Sequence, residues 1–124
     1  MDIQFTDREL DVMAVLWENG SATVNEVRDS LADDLAYTTV LTVLRTLEDK
    51  GFVDHIGEGK AHRYRPLVGR ERAGKSALRR LVTKVFRGSP ELLLTHLVSD
   101  RSLTPAELKR MRRLLDERLS EEDA

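Results

Sequence analysis

The sequence predicts a mainly α-helical protein with one small β-hairpin, and three observations support this fold class. Apolar residues recur at helical spacing in six segments of the chain. Three segments begin with a Thr that is followed three residues later by a Glu, the signature of a capping box at a helix start. Between the third and fourth helical segments, residues 52–67 carry short β-prone runs around the sequence GEGK, which is typical of two strands joined by a turn.

The first three helical segments are expected over about residues 6–19, 23–31 and 37–50. Capping boxes are expected for the pairs Thr6 and Glu9, Thr23 and Glu26, and Thr104 and Glu107. Glycine commonly follows the end of a helix, and here it follows the first and third segments, as Gly20 and Gly51. The predicted buried residues of the first helix are Leu10, Met13, Ala14, Leu16 and Trp17.

The order of three helices, a hairpin and further helices fits a winged helix-turn-helix domain followed by a helical dimerisation region, with expected bounds of 1–69 and 70–124. The helices of the second region are amphipathic, but three short helices are too few to form a good core alone. We therefore expect this region to pair with a second copy; the alternative is a monomer in which it packs back on the first domain. The expected dimerisation residues are Leu78, Leu81, Val85, Leu93, Leu97, Leu108, Met111 and Leu115.

The composition excludes several classes of protein. The chain has 124 residues and no cysteine, which removes disulfides, thiolate catalysis and thiolate metal sites. No apolar run approaches the length of a membrane span and no N-terminal signal pattern is present, so a cytoplasmic protein without membrane insertion is expected. The histidines, His55, His62 and His96, lack metal-ligand spacing, and no catalytic motif is visible. We expect no enzyme activity, no cofactor and no metal site.

The charge distribution is more informative than the net charge of −2. Residues 59–87 contain ten basic residues and a single acid, Glu71. A basic block of this kind suits a polyanion, and nucleic acid is the commonest one. The alternative is a solvated helix face that acidic neighbours balance in the fold.

The third helix carries four threonines, although β-branched residues are mediocre helix formers. At 3.6 residues per turn, one stripe of this helix holds Val40, Val43, Leu44 and Leu47. The opposite face is largely uncharged and rich in hydroxyl groups, which allows close approach to base edges and phosphates, while an Arg can bind guanine. The alternatives are a partner-facing helix or an undistinguished surface. The DNA contacts expected on this helix are Thr38, Thr39, Leu41, Thr42 and Arg45.

The hairpin points to the same function. Its tip, at about residues 57–63, forms a candidate wing that could straddle a minor groove or rest on phosphates. The DNA contacts expected here are Lys60, His62 and Arg63. A surface or strand-pairing role for His62 is an equal alternative, and Tyr64 is expected to anchor the hairpin in the core.

Three stretches of the chain resemble the BlaI/MecI/CopY family of bacterial repressors, the penicillinase-repressor type. They are FTDRELDVMAVLWENGSATVNEV, LAYTTVLTVLRTLEDKGFV and KAHRYRPLV, which together cover most of residues 4–68 in order. The resemblance implies a homodimeric winged-helix repressor on a two-fold-symmetric double-stranded DNA operator, with its C-terminal helices in the dimer interface. Position by position, it implies recognition-helix contacts from Thr38, Thr39, Thr42 and Arg45, and a wing near Lys60 and Arg63.

The resemblance also bears on regulation. Family members of the antibiotic-resistance type are inactivated by a cut in the C-terminal domain, in a pathway begun by a membrane-bound sensor protease, which is therefore an implied partner. The Asn-Phe pair at that cut is absent here, and its aligned place holds His96 and Leu97. Copper-responsive relatives use clustered cysteines, and this chain has none.

Two functions of different classes are thus open at the level of the sequence. The first is a homodimeric transcriptional repressor with its recognition helix, about residues 37–50, in the major groove and its wing on the backbone or minor groove. The second is a winged-helix protein-protein interaction module that binds no DNA. The acidic excess of residues 1–68, with 13 Asp/Glu against 7 Lys/Arg, favours the second, because it weakens nonspecific attraction to phosphate.

Overall fold

The computed structural model of the chain describes residues 3–123 and contains the expected helices and hairpin in the expected order. The helices are α1 (Asp7–Asn19), α2 (Val24–Ser30), α3 (Tyr37–Asp49), α4 (Arg70–Lys84), α5 (Pro90–Val98) and α6 (Pro105–Asp123). The strands are β1 (Ala22–Thr23), β2 (Val53–Glu58) and β3 (Ala61–Pro66).

The three predicted capping boxes are confirmed. At α1 the hydroxyl of Thr6 accepts a hydrogen bond of 3.1 Å from the backbone N–H of Glu9, and the Glu9 carboxylate accepts one of 2.8 Å from the N–H of Thr6. The same reciprocal pair is present at Thr23, before α2, and at Thr104, before α6. These bonds satisfy N–H groups that a helix start leaves without an intrahelical partner, which explains why α1, α2 and α6 begin where they do.

The sheet has three strands in the order β1-β3-β2, all antiparallel. The two long strands are joined by Gly59 and Lys60, and Gly59 has a φ of +61°, which a two-residue hairpin turn requires. The sequence did not predict β1, in which Ala22 pairs with Tyr64 and Thr23 with Arg63. A strand of two residues carries no periodicity of its own, so only its pairing with β3 reveals it.

The buried face of α1 differs in part from the prediction. Met13 and Leu16 are fully buried as expected, but Leu10 is 39% exposed and Ala14 is also exposed. Positions 9, 12, 13 and 16 form the buried stripe instead, at the regular spacing of one helix face. Leu10 and Ala14 lie one position away from that stripe, which is why they stay in solvent.

The chain divides into two compact units, Met1–Arg79 and Arg80–Ala124. The first has a closed core, in which Val40, Leu44 and Leu47 of α3 are fully buried together with side chains of α1 and α2. Tyr64 of β3 is 1% exposed, so its predicted role as the anchor of the hairpin is confirmed. The core also includes Ala73, so that α4 begins within the first unit.

The second unit, taken by itself, is built differently. Between residues 80 and 123 no side chain is buried. The helices there expose large apolar side chains, including Leu92, Leu94, Leu97, Val98, Leu114, Leu115 and Leu119. The functional division predicted at residues 69 and 70 stays a prediction, whereas the packing divides the chain after Arg79. Within the described range, no helix is both long enough and apolar enough to cross a membrane.

Candidate nucleic-acid interface

Helix α3 presents two chemically different faces. Its packed face is the predicted stripe, in which Val40, Leu44 and Leu47 have no exposed surface and Val43 is half-buried. On the other side the four candidate contacts Thr38, Thr39, Thr42 and Arg45 are all exposed. The core therefore holds α3 firmly, and the opposite face is free for a partner.

The hydroxyl groups of α3 are not equivalent. Thr42 donates its hydroxyl proton to the carbonyl of Thr38, and Thr46 donates to the carbonyl of Thr42, both at 2.9 Å. This bonding within the helix leaves Thr42 to present its methyl group and its oxygen lone pairs outward. The hydroxyls of Thr38 and Thr39 make no such bond in the part of the chain that the structure describes. They can therefore both donate and accept.

Leu41 occupies the edge between the two faces. It is half-buried and packs against the core of the first unit, so a large part of its side chain serves the fold. Its remaining surface lies beside the exposed threonines, where it can still contact a thymine methyl group.

The C-terminal end of α3 is fixed to the start of α1 by an ion pair that the sequence did not predict. The Nζ of Lys50 lies 2.8 Å and 3.0 Å from the two carboxylate oxygens of Glu9, which is only 4% exposed. Burial alone would raise the pKa of Glu9, but the bonds from Lys50 and Thr6 outweigh it, and the pKa lies below its ordinary value. One carboxylate thus caps α1 and orients the helix that carries the candidate contacts.

The two faces of the hairpin separate the predicted wing residues. His62 and Tyr64 alternate with Arg63 and Arg65 along β3, so they point to opposite sides of the sheet. Lys60 is exposed in the turn itself. The three wing candidates therefore do not form one cluster, since Lys60 lies at the tip and His62 and Arg63 lie on different faces.

Arg63 is held by α2. Its guanidinium lies 3.0 Å from the carboxylate of Glu26 and donates a hydrogen bond of 3.3 Å to the hydroxyl of Ser21. The backbone hydrogen bond from Thr23 has the largest effect and lowers the pKa of Glu26. Desolvation opposes it, and the Thr23 hydroxyl and Arg63 lower the pKa further. These contacts tie the wing to α2.

On the other face His62 belongs to a row of three side chains, Glu48, His55 and His62, which we call the histidine row. The Nδ1 of His55 lies 2.7 Å and 2.9 Å from the carboxylate oxygens of Glu48, near the end of α3. The ring of His62 stacks on that of His55, with centroids 4.3 Å apart and planes 15° from parallel. The row therefore runs from α3 to the hairpin.

Arg45 and Glu48 also lie close enough to Tyr64 to act on it electrostatically. Burial raises the pKa of the Tyr64 hydroxyl, the charge of Glu48 raises it further, and the charge of Arg45 lowers it.

Sequence reasoning missed Glu9, Glu26, Glu48 and His55 as parts of this surface. The sequence does contain a signal for Glu9 and Glu26, because each is the Glu of a capping box and hence lies at a fixed place on its helix. Glu48 and His55 carry none, since their contact depends on how α3 packs against the sheet. Among the described residues no group of three potential ligands could hold a metal ion.

The expected dimerisation residues are partly or largely exposed. Leu78, Leu81, Val85, Leu97 and Leu115 have relative exposures between 41% and 61%. Leu93, Leu108 and Met111 are half-buried. Inside the second unit, the rings of Phe86 and His96 have centroids 5.3 Å apart, which joins the turn after α4 to α5.

Taken together, a packed helix with an exposed hydroxyl-rich face, two helices before it and a three-stranded wing after it define a winged helix-turn-helix protein of the nucleic-acid-binding type. The sequence profile described as Penicillinase repressor matches residues 5–117. The chain belongs to this family, which is a family of transcriptional repressors and not of enzymes. The resemblance noted in the sequence is therefore confirmed.

Individual relatives agree with this assignment. The chain is 46% identical over 68 residues to the "Transcriptional regulator BlaI" of Mycobacterium tuberculosis, an alignment that covers 52% of this chain and 49% of that protein. The matched region thus spans about half the length of that relative. The "Penicillinase repressor" of Bacillus licheniformis is 25% identical over 116 residues, which cover 92% of this chain and 91% of that protein.

Solved structures support the same fold. The solution structure of the DNA-binding domain of the repressor BlaI matches 56% of this chain and 88% of its own, with 33% identity and a TM-score of 0.51. A MarR family protein from Bacillus stearothermophilus matches 97% of this chain and 76% of its own, with 20% identity and a TM-score of 0.56. The second likeness concerns the fold alone. The fold class expected from the sequence is confirmed.

Proposed function

We propose that this chain is a sequence-specific transcriptional repressor that acts in the cytoplasm as a homodimer on a two-fold-symmetric DNA operator. One observation carries the proposal. The face of α3 opposite its buried stripe offers Thr38, Thr39, Thr42 and Arg45 to solvent on a helix that the core holds rigidly. Surface helices chosen only for stability would carry Glu, Lys or Gln there, because these residues have better helix propensity.

The proposed geometry follows from that face. Helix α3 enters the major groove, where Arg45 can bind guanine through two hydrogen bonds and the threonines can contact thymine methyl groups or phosphates. The wing, with Lys60 at its exposed tip, lies on the backbone or in the adjacent minor groove. Arg63 lies on the face of β3 opposite His62, and its guanidinium is paired with the carboxylate of Glu26. We therefore expect the replacement of Arg63 to weaken DNA binding less than the replacement of Arg45.

The dimer is supported by the exposed apolar surface of the second unit. On α5, Leu92, Leu94, Leu97 and Val98 are each 37–44% exposed, and on α6 Leu114, Leu115 and Leu119 are 50–65% exposed. Soluble proteins rarely leave so many large apolar side chains uncovered on two consecutive helices. A second copy of the chain covers them in the proposal, and two-fold symmetry then matches the two half-sites of an operator.

A protease pathway that relieves repression is the further partner that the family resemblance suggests. The residues at the aligned cut position, His96 and Leu97, are exposed on α5. Cleavage there would separate the last helix from the rest of the chain and so weaken the dimer. Limited proteolysis followed by sizing of the fragments tests this part independently of DNA binding.

The decisive experiment is a binding titration with the DNA upstream of the chain's own gene, at fixed salt. Arg45→Ala should cost about 1–3 kcal/mol of operator affinity, because a two-bond contact to guanine is lost. Arg101→Ala removes an exposed arginine from the loop before α6 and serves as the matched control, with an expected change within about 0.5 kcal/mol. Unchanged affinity in Arg45→Ala would refute the assignment of this face.

Salt dependence separates the repressor from the interaction module. Binding through several phosphate contacts must weaken steeply as salt increases, because counterions are released from the DNA. If the chain shifts no fragment of that upstream DNA at low salt, the interaction module is the better description.

A further inference from the structure

We propose that Glu48 and His55 are positioning residues that set where His62 and the wing tip meet the DNA, through the histidine row that joins α3 to the hairpin. The inference rests on the proposed operator binding and adds two residues to it. Neither Glu48 nor His55 needs to contact DNA; they act through His62.

The first link of the row fixes the ring of His55. Both carboxylate oxygens of Glu48 lie within 2.9 Å of its Nδ1, so this nitrogen carries a proton and donates it to the carboxylate. Such a bond selects one tautomer and one ring orientation, as carboxylates do for histidines in other polar sites. The two side chains are 32–33% exposed, so the contact is partly shielded from water.

The second link transfers that orientation to the wing. The ring of His62 stacks on His55 at 4.3 Å and lies opposite Gly57 in the strand pairing. Glycine provides no side chain on that position of β2, and a Cβ built there would meet nothing within 4 Å. The exposed ring of His62 therefore packs against the ring of His55. His62 lies two residues after Lys60 of the turn.

Helix stability does not explain the position of Glu48. It lies in the last turn of α3, which has no basic residue, and an acid at this end interacts unfavourably with the helix dipole. The bond to His55 gives the carboxylate a role there. The same bond connects α3 to the hairpin, so that the two elements proposed to contact DNA keep a fixed position relative to each other.

Asp54 supplies a matched control. It lies next to His55 on β2, and its carboxylate forms bonds of 2.6 Å and 3.0 Å with Arg65 on the opposite face of the hairpin. Asp54→Asn thus removes one negative charge and a surface contact, as Glu48→Gln does, but it keeps the bond between His55 and Glu48 and the stack of His62 on His55. Both changes remove one negative charge, so the comparison corrects for the change in net charge.

The test is a double-mutant cycle on operator affinity, measured with the upstream duplex that the wild-type chain protects in a footprint. We expect His62→Ala to weaken binding about 5-fold and Glu48→Gln about 3-fold relative to Asp54→Asn, and the double variant of Glu48 and His62 to be no weaker than His62→Ala alone. His55→Phe keeps a ring in the stack but lacks the bond to Glu48. In that background Glu48→Gln should have no further effect.

A footprint distinguishes positioning from a loss of structure. Glu48→Gln should lose protection at the outer edge of each half-site, where the wing lies, and keep it at the centre, with an unchanged unfolding midpoint. Effects of Glu48→Gln and His62→Ala that multiply, or protection that is lost evenly across the half-site, would overturn the inference. If the wild-type chain shows no salt-dependent binding, the proposed function itself fails, and the positioning role fails with it.

Discussion

The two units of the chain place the same residue type in opposite environments. In the first unit Leu44 and Leu47 have no exposed surface, whereas in the second Leu114 and Leu119 keep 65% and 63% of theirs exposed. In a unit that buries its leucines, apolar contacts within one chain supply the folding free energy. A unit that exposes them lacks that source of stability unless another surface covers them. In the proposed dimer the first unit therefore supplies the folding free energy, and the second unit supplies the surface for association.

The largest effect is expected from truncation after Arg79, which removes the second unit. Residues 1–79 should stay folded and become monomeric, and operator affinity should fall by about 100-fold or more, because the second half-site is no longer held nearby. Sedimentation gives the oligomeric state and titration gives the affinity. A truncated chain that is still dimeric, or that binds the operator as tightly as the full chain, would contradict the division.

A pair of leucine variants tests the same point residue by residue. Leu44→Ala should lower the free energy of unfolding by about 2–5 kcal/mol at every protein concentration, since it opens a cavity in a closed core. Leu115→Ala should destabilise the full chain only at concentrations where the dimer forms. Urea unfolding at several concentrations measures both. Equal, concentration-independent losses would show that Leu115 is covered within its own chain.

The buried carboxylate of Glu9 gives a smaller, pH-dependent effect. Its pKa in the folded chain lies below the ordinary value of 4.5, so its stabilisation is present above that value and is lost as pH falls through the lowered pKa. Glu9→Gln should cost about 1–3 kcal/mol at neutral pH and flatten the acid limb of the stability curve. Glu71→Gln, at an exposed acid of α4, is the control and should change the free energy of unfolding at neutral pH by less than about 0.5 kcal/mol.

Local signals in the sequence predicted most of the fold. Capping boxes involve residues three apart, and the turn at Gly59 and Lys60 is set by its own two residues, so both can be recognised without tertiary structure. The phase of α1 could not be predicted as well, because Leu10 and Val12 are both apolar and only packing shows that Val12 is buried. Strand β1 was missed for the same reason, since it exists through pairing with residues about forty positions away.

Some parts of the candidate site could likewise be predicted from local sequence, and others could not. The exposed face of α3 follows from helical periodicity, and Thr38, Thr42 and Arg45 lie where that periodicity places them. The surroundings of the wing depend on contacts between distant segments. The bond from Arg63 to Glu26 and the bond from His55 to Glu48 require the packed sheet, and no spacing in the sequence indicates them.

Trp17, the chain's one tryptophan, gives the first unit its own spectroscopic label. Its indole N–H donates a hydrogen bond of 2.8 Å to the carbonyl of Val68, and the guanidinium of Arg70 lies 5.8 Å from its ring centre. Loss of these contacts on unfolding will change the environment of the ring and hence its fluorescence. The second unit has no tryptophan, so fluorescence follows the opening of the first unit alone, while circular dichroism follows the helices of both.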